Sequence, residues 1–157
     1  MSPQASPPAL RAWNRLVRAY STTRRELRTQ LHEEHGLTLN DYEALYVLSL
    51  AEGRRMKRVD LAQRLVLTPS GITRLLEGLE AAELVERVAC DTDLRVSYAQ
   101  LTDAGADKLE AASCGHSGSL RTIFGDHLDE DEIEALGELL GKLPGALDED
   151  AACPTDG

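Results

Sequence analysis

A chain of 157 residues is long enough for one domain with a buried core and too short for two ordinary ones. Its hydrophobic content of 42%, with only 4% aromatic residues, favours a mainly helical fold over a sheet-rich one. No apolar run reaches the roughly 18 residues of a membrane span, no secretory signal is recognisable, and three widely spaced cysteines argue against a disulfide framework, so we expect a cytoplasmic protein with reduced thiols.

The net charge of −10 is distributed unevenly. Positive and negative residues balance or nearly balance up to residue 95, and residues 96–157 carry almost all of the negative surplus. The pentamer RRMKR at 54–58 forms a local positive spot, which either contacts phosphate or is a solvated turn. The acidity therefore does not exclude a nucleic-acid contact by the middle of the chain.

The first predicted elements are an N-terminal arm and a long helix. Residues 1–9 contain three prolines and no periodicity, which predicts a disordered arm. From 10 to 35, apolar side chains recur in steps of three and four, the pattern of a helix that packs on another helix along a narrow seam. The side chains of this seam are Leu10, Trp13, Val17, Tyr20, Leu27 and Leu31. His35 and Gly36 end the helix.

Three further helices are predicted before residue 83. Asn40 or Asp41 can cap the first, which ends by Gly53, and the second is short and begins near Arg58. Thr68 and Pro69 supply an N-cap and a first-turn proline for the third, at 69–82. The side chains predicted to face inward are Val59, Leu61, Ala62 and Leu65 in the short helix and Ile72, Leu75, Leu76 and Leu79 in the third.

The last third of the chain begins with a predicted β-hairpin. Its strands are 84–88 and 96–101, around a polar turn at 90–95. Thr102 and Asp103 cap a helix that we expect to bend or break within SCGHSGS at 113–119. A final helix begins at 129–131, and its apolar face consists of Ile133, Leu136, Leu140 and Leu143. An acidic tail follows at 148–157.

This order of elements predicts a fold class: mainly α with a small β-hairpin wing, a winged helix-turn-helix. The second helix of such a unit enters the DNA major groove, and here its exposed stripe carries Ser70, Thr73, Arg74 and Glu77. At the hairpin tip, Asp93 can hold Arg95 extended for the minor groove. Taken singly, Arg74 reads equally well as a solvated arginine and Arg95 as a plain hairpin ion pair. The residues predicted to contact DNA are Arg58, Thr68, Pro69, Ser70, Gly71, Thr73, Arg74, Asp93 and Arg95.

The hairpin region also carries a family resemblance. TRLLEGLEAAELVER at 73–87 is followed by Asp93-x-Arg95, then after five residues by Leu101-Thr102, and after two more by Gly105. This pattern resembles the multiple antibiotic resistance regulator (MarR) family over about residues 10–143. The resemblance implies one winged-helix domain at 10–147, a homodimeric transcription factor and usually a repressor. Helices at 10–35 and 103–143 would dimerise it, and a lobe at 40–101 would bind DNA.

Two departures from the family pattern stand out. Glu83 occupies a position where family members often have glycine, so a left-handed helix cap there costs on the order of 1 kcal/mol. Leu94 stands at the wing where a second arginine or a small residue is common, which leaves Arg95 as the only cation of the wing tip.

The resemblance places an effector between the dimerisation helices and the DNA-binding lobe. The candidate ligand-binding residues are Trp13, Arg15, Tyr42, Tyr46 and His116. An aromatic wall and one guanidinium suit a small aromatic carboxylate, although the aromatic residues lie on apolar stripes, where such side chains more often belong to the core.

Other chemistries find less support. The histidines of HEEH at 32–35 are three apart, so no metal ligand or cofactor is assigned, with a zinc site completed by His116 or His127 as the alternative. A redox sensor needs a cysteine with a low thiol pKa. Cys90 lies beside Asp91, which should raise its pKa, and Cys153 lies in the acidic tail. Enzyme motifs such as the P-loop and G-x-S-x-G are missing. The remaining alternative is a winged-helix protein-interaction module without direct DNA binding.

Overall fold

A computed structural model describes residues 7–145 of the chain. The predicted acidic tail, Cys153 and most of the predicted N-terminal arm lie outside the described residues. The described part contains six α-helices, a short 3-10 turn and a three-stranded antiparallel sheet. In chain order these are α1 (Pro8–His35), α2 (Leu39–Leu50), the 3-10 turn (Glu52–Arg54), β1 (Arg55–Lys57), α3 (Arg58–Arg64), α4 (Pro69–Ala81), β2 (Val85–Ala89), β3 (Ser97–Leu101), α5 (Asp103–Gly125) and α6 (Glu130–Gly141).

Side-chain caps account for the starts of α2, α4, α5 and α6. Thr68 Oγ1 accepts a hydrogen bond from the backbone N–H of Gly71 at 3.1 Å, as the sequence predicts for the start of α4. At α2 the predicted cap is wrong by two or three residues, because Thr38 is the N-cap. Its hydroxyl accepts from the N–H of Asp41 at 3.1 Å and the Asp41 carboxylate accepts from the N–H of Thr38 at 2.8 Å, which makes a capping box.

The buried core joins the C-terminal half of α1 to α2–α5 and the sheet. Its largest fully buried side chains are Leu31, Leu45, Leu48, Leu61, Leu76 and Val85. The inward face predicted for α4 is confirmed, with Leu75 only partly buried. The prediction for Val59 is wrong, since it is 67% exposed. At about 100° per residue, Val59 lies more than a right angle from the centre of the arc that Leu61, Ala62 and Leu65 share.

The sheet contains one strand that the sequence did not predict. Its order is β1-β3-β2, with Met56 opposite Ala99 and Val85 opposite Leu101. RRMKR is therefore largely an edge strand rather than a turn. The Arg55 guanidinium stacks over the Tyr98 ring at 5.2 Å. Three residues are too few for a readable alternation, so Met56 between charged neighbours is the only trace of the strand.

Helix α5 runs without interruption through SCGHSGS, so the predicted bend or break is wrong. The glycines lower helix propensity by about 1 kcal/mol each, but Gly115 faces α1. A Cβ there would lie 2.6 Å from Gln30 Nε2 and 2.9 Å from Glu34 Oε2, so a larger residue would displace the ends of these two flexible side chains. Packing between helices outweighs the local preference.

The N-terminal half of α1 and the whole of α6 lie outside this core. The predicted seam of α1 divides, because Leu27 and Leu31 are buried and the rest of it is exposed. None of the α6 residues is buried. The large apolar side chains exposed on these two elements and just after them are Leu10, Trp13, Leu16, Val17, Tyr20, Leu139, Leu140 and Leu143.

Two helices end on residues that take a left-handed backbone without being glycine. Val66 follows α3 with φ 54°, and Glu83 follows α4 with φ 59°. After α4, the N–H of Leu84 donates to the carbonyl of Leu79 and the N–H of Glu83 to that of Glu80, both at 3.0 Å, the pattern of a Schellman cap. The left-handed cap is therefore present at Glu83. A residue with a side chain costs roughly 1–2 kcal/mol in this conformation.

We expect Glu83→Gly to raise the free energy of unfolding by about 0.5–1 kcal/mol, because the relieved strain exceeds the added freedom of the unfolded chain. Urea denaturation at equal protein concentrations measures it. The neighbouring Ala82→Gly is the matched control: Ala82 has φ −84°, so glycine relieves nothing and stability should fall. A Glu83→Gly protein that is no more stable than the wild type would contradict the strain.

Candidate nucleic-acid interface and adjoining cavity

Helix α4 exposes a polar face opposite its buried leucines. Ser70, Thr73 and Arg74 are exposed on it. The Thr73 hydroxyl donates to the Pro69 carbonyl at 2.9 Å, and the Ser70 and Thr68 hydroxyls lie 3.2 Å apart. These short side chains are held against the helix, whereas no hydrogen bond or ion pair engages Arg74 within the described residues. Arg74 is therefore a long cationic side chain of this face that is free to reach a ligand.

The N-terminus of α4 is exposed at Pro69 and Ser70 and presents the positive end of the helix dipole. Gly71 has a local reason to be small, since a Cβ there would lie 3.1 Å from the capping Thr68 Oγ1. Arg58, the remaining predicted contact of the helical part, opens α3 and is half-buried.

The hairpin between β2 and β3 ends in a tight turn. The N–H of Val96 donates to the carbonyl of Asp93 at 3.0 Å, which places Leu94 and Arg95 at the two central positions. Asp93 Oδ1 also accepts from the backbone N–H of Arg95 at 3.0 Å but lies 3.8 Å from its Nε. The Arg95 side chain is 96% exposed, so this ion pair is weak and Asp93 mainly fixes the turn.

A cavity of about 950 Å³ lies between α1, α2, α5 and the turn that follows α3. Tyr42, Tyr46 and His116 line it, as the sequence predicts, but Trp13 and Arg15 do not. Both belong to the exposed N-terminal half of α1, and Trp13 is 62% exposed. The charged lining residues that sequence reasoning missed are Arg24, Glu43 and Arg64.

Arg24 is the best-held cation of the cavity wall. Its guanidinium donates to Asn40 Oδ1 at 2.6 Å, to Tyr20 Oη at 2.9 Å and to Glu43 Oε1 at 3.3 Å. Burial raises the pKa of Glu43, and the charge of Arg24 opposes that rise. The sequence signal for Arg24 was that it is the one polar position in the seam of α1. It faces α2 because the buried C-terminal part of the seam packs on the core there.

His116 lies deep in the same wall. Its ring centroid is 4.3 Å from that of Tyr42, and the Tyr42 hydroxyl lies 3.1 Å from Ser113 Oγ. Burial lowers the pKa of His116, so the ring is neutral near pH 7. Its Nδ1 is buried and has no hydrogen-bond partner within the described part of the chain, so it is available to a ligand.

The other candidate chemistries can be placed as well. No group of three or more histidine, cysteine or acidic residues within 7–145 is arranged to hold a metal ion, and no helix there could cross a membrane. The expectation for Cys90 is wrong in direction: hydrogen bonds from Thr92 lower the pKa of its thiol and outweigh the opposing charge of Asp93. Asp91, the neighbour invoked from the sequence, is not among the causes.

Comparison with known proteins decides the family. A sequence model of the MarR family matches residues 35–95. AbsC, a MarR family transcriptional regulator from Streptomyces coelicolor, is 30% identical, and its crystal structure superimposes with a TM-score of 0.75 over 88% of this chain and 93% of that one. The chain belongs to the MarR family.

Two further comparisons are informative. Sco3205 from Streptomyces coelicolor, crystallised in complex with DNA, is 26% identical with a TM-score of 0.76, over 89% of each chain. The transcriptional repressor YetL from Bacillus subtilis is 30% identical over 111 residues, which are 69% of this chain and 66% of YetL. The winged-helix fold class is confirmed, and these relatives are regulators rather than enzymes.

For this MarR-family protein, we expect His116 to make stability depend on pH. Its pKa in the folded state lies below the ordinary 6.5, so the unfolded chain binds more protons in that window and stability falls as the pH drops through it. Glu43, whose folded pKa is raised, contributes the opposite slope in wild type and variant alike.

The free energy of unfolding, measured from about pH 7.5 to about pH 5.5, should therefore fall less steeply in His116→Phe than in the wild type. The exposed His127 provides the control, and His127→Gln should keep the wild-type slope. Parallel curves for wild type and His116→Phe would show that burial of His116 is not coupled to its protonation.

Proposed function

We propose that this MarR-family protein is a homodimeric DNA-binding regulator, a repressor that reads a pseudo-palindromic operator and is released by a small effector. The observation that carries the proposal is the polar face of α4, where Arg74 is free beside an exposed helix N-terminus, together with Arg95 at the wing tip of the same lobe. The DNA complex of Sco3205 and the repressor YetL support it.

The residues of α4, α3 and the wing have distinct roles in this proposal. Arg74 enters the major groove and contacts a base edge, and the start of α4, from Thr68 to Thr73, lies against phosphate. Arg58 adds a phosphate contact, and Arg95, steadied by Asp93, enters the minor groove.

The uncovered apolar surfaces support the homodimer. A stable monomer rarely leaves so many large apolar side chains exposed on two elements. Helix α1 contains six arginines and three glutamates, whereas α6 contains five acidic residues and no basic one. A second copy would cover both elements and pair their opposite charges twice, as a two-fold axis requires. Two α4 helices roughly 34 Å apart would then read the two half-sites.

The DNA proposal is tested by fluorescence anisotropy on DNA from the protein's own upstream region, across a salt series. One dimer should bind per site, and affinity should fall steeply with salt because several phosphates are contacted. Arg74→Ala should lose about 5–150-fold, the equivalent of roughly 1–3 kcal/mol for a bidentate base contact.

The control is Arg28→Ala, which removes an equal charge from the exposed surface of α1. At a protein concentration where both proteins are dimers, it should bind like the wild type. Flat anisotropy at low salt, on that DNA and on a random-sequence pool, would instead favour the protein-interaction module.

For the effector, we propose a small aromatic carboxylate bound in the cavity. Tyr42, Tyr46 and His116 would enclose the ring, His116 Nδ1 would accept a hydrogen bond from a ligand hydroxyl, and Arg24 rather than Arg15 would pair with the carboxylate. The cavity is bordered by the turn at 64–67, which leads directly into α4. An occupant that displaces this turn would move the start of α4 and weaken the grip on DNA.

Isothermal titration with benzoate and 2-hydroxybenzoate tests the effector. Both should bind, and Arg24→Met should weaken binding about tenfold or more, because a charged hydrogen bond is worth roughly 1.5–3 kcal/mol. Arg15→Met, which removes a guanidinium outside the cavity, is the matched control and should bind like the wild type. No heat of binding with either acid at millimolar concentration would contradict an aromatic acid effector.

A further inference from the structure

The wing tip carries a fully exposed leucine beside its arginine. Leu94 is 89% exposed and belongs neither to the buried core nor to the partly buried side chains packed against it. A single exposed leucine is ordinary on a protein surface. This one is distinguished by its place, in the tight turn of the hairpin and next to the cation of the tip.

The tip is held by several hydrogen bonds. Besides the turn bond from Val96 to Asp93, the N–H of Cys90 donates to the carbonyl of Val96 at 3.1 Å, and the ladder continues below with Ala89 opposite Ser97. Asp93 Oδ1 fixes the N–H of Arg95 from the side. Leu94 and Arg95 are the two central residues of one hydrogen-bonded turn, so Leu94 lies next to any groove that receives Arg95.

The minor groove is a selective environment for such a side chain. It is only about 6 Å wide, so a leucine within it contacts the sugar walls and the base edges of the floor. Over an A·T pair the floor offers acceptors and a C–H edge, but over a G·C pair it carries the guanine N2 amino group. A leucine would strip that donor of water without a replacement hydrogen bond, which disfavours a G·C pair.

We propose that Leu94 is a specificity-determining residue, which enters the minor groove with Arg95 and selects A·T pairs beneath the wing by excluding the guanine amino group. The inference rests on the proposed function, since without DNA there is no groove to enter. It assigns the two tip residues different roles: Arg95 contributes affinity that depends on salt, and Leu94 contributes sequence preference that does not.

The experiment uses two operator duplexes, with the positions under the wing located by footprinting. One duplex carries G·C pairs there and the other inosine·C, which removes the N2 amino group and leaves the major-groove face unchanged. The full-length wild type should bind the inosine duplex about tenfold more tightly, which corresponds to about 1.4 kcal/mol. Leu94→Ala should reduce this ratio to less than about twofold, and Leu94→Met, which keeps an apolar tip, should preserve most of it.

A salt series on the same duplexes separates the two tip residues. Leu94→Ala should keep the wild-type slope of log affinity against log salt, whereas Arg95→Ala should make it shallower. An inosine-to-guanosine ratio that is the same in wild type and Leu94→Ala, with both proteins bound to DNA, would overturn the role of Leu94 and leave the proposed function intact. Failure of all four proteins to bind either duplex at low salt would overturn the proposed function itself.

Discussion

The DNA-binding lobe depends on one junction, where the turn after α4 meets the start of α5. The Thr102 hydroxyl donates to the Glu83 carbonyl at 2.7 Å and accepts from the N–H of Gly105 at 3.0 Å, and the N–H of Thr102 donates to the Leu84 carbonyl. A Cβ on Gly105 would collide with that same carbonyl. The end of α4, the base of the wing and the first turn of α5 are thus fixed to one another by two residues.

The two ends of α4 consequently have different surroundings. Its C-terminal end is tied into the junction, whereas its N-terminal end follows the turn at 64–67, which lines the cavity and includes the strained Val66. In the proposed mechanism, an effector would act at the second end while the first stays in place. Arg74 and the helix N-terminus lie toward the end that is free to respond.

The sequence predicts best what a few neighbouring residues decide. The start of α4 at Thr68 and Pro69, its apolar face and the hairpin all have local signals, and all are confirmed. Contacts between distant segments were harder to predict from the sequence. Helix α5 stays continuous because it packs against α1, and Arg24 rather than Arg15 reaches the cavity because α2 packs against that turn of α1. Strand β1 is defined by its pairing with β3, more than forty residues further along.

Helix α6 has a consequence for how much protein the cell must hold. With no buried residue of its own, it contributes little to the fold of a single chain. In the proposed dimer its stability therefore comes from the partner and follows mass action. Dilution would leave α6 open to proteases. While dimers are scarce, the occupancy of an operator would rise with roughly the square of the monomer concentration. A modest change in synthesis or degradation would then act as a regulatory input of its own, without any ligand.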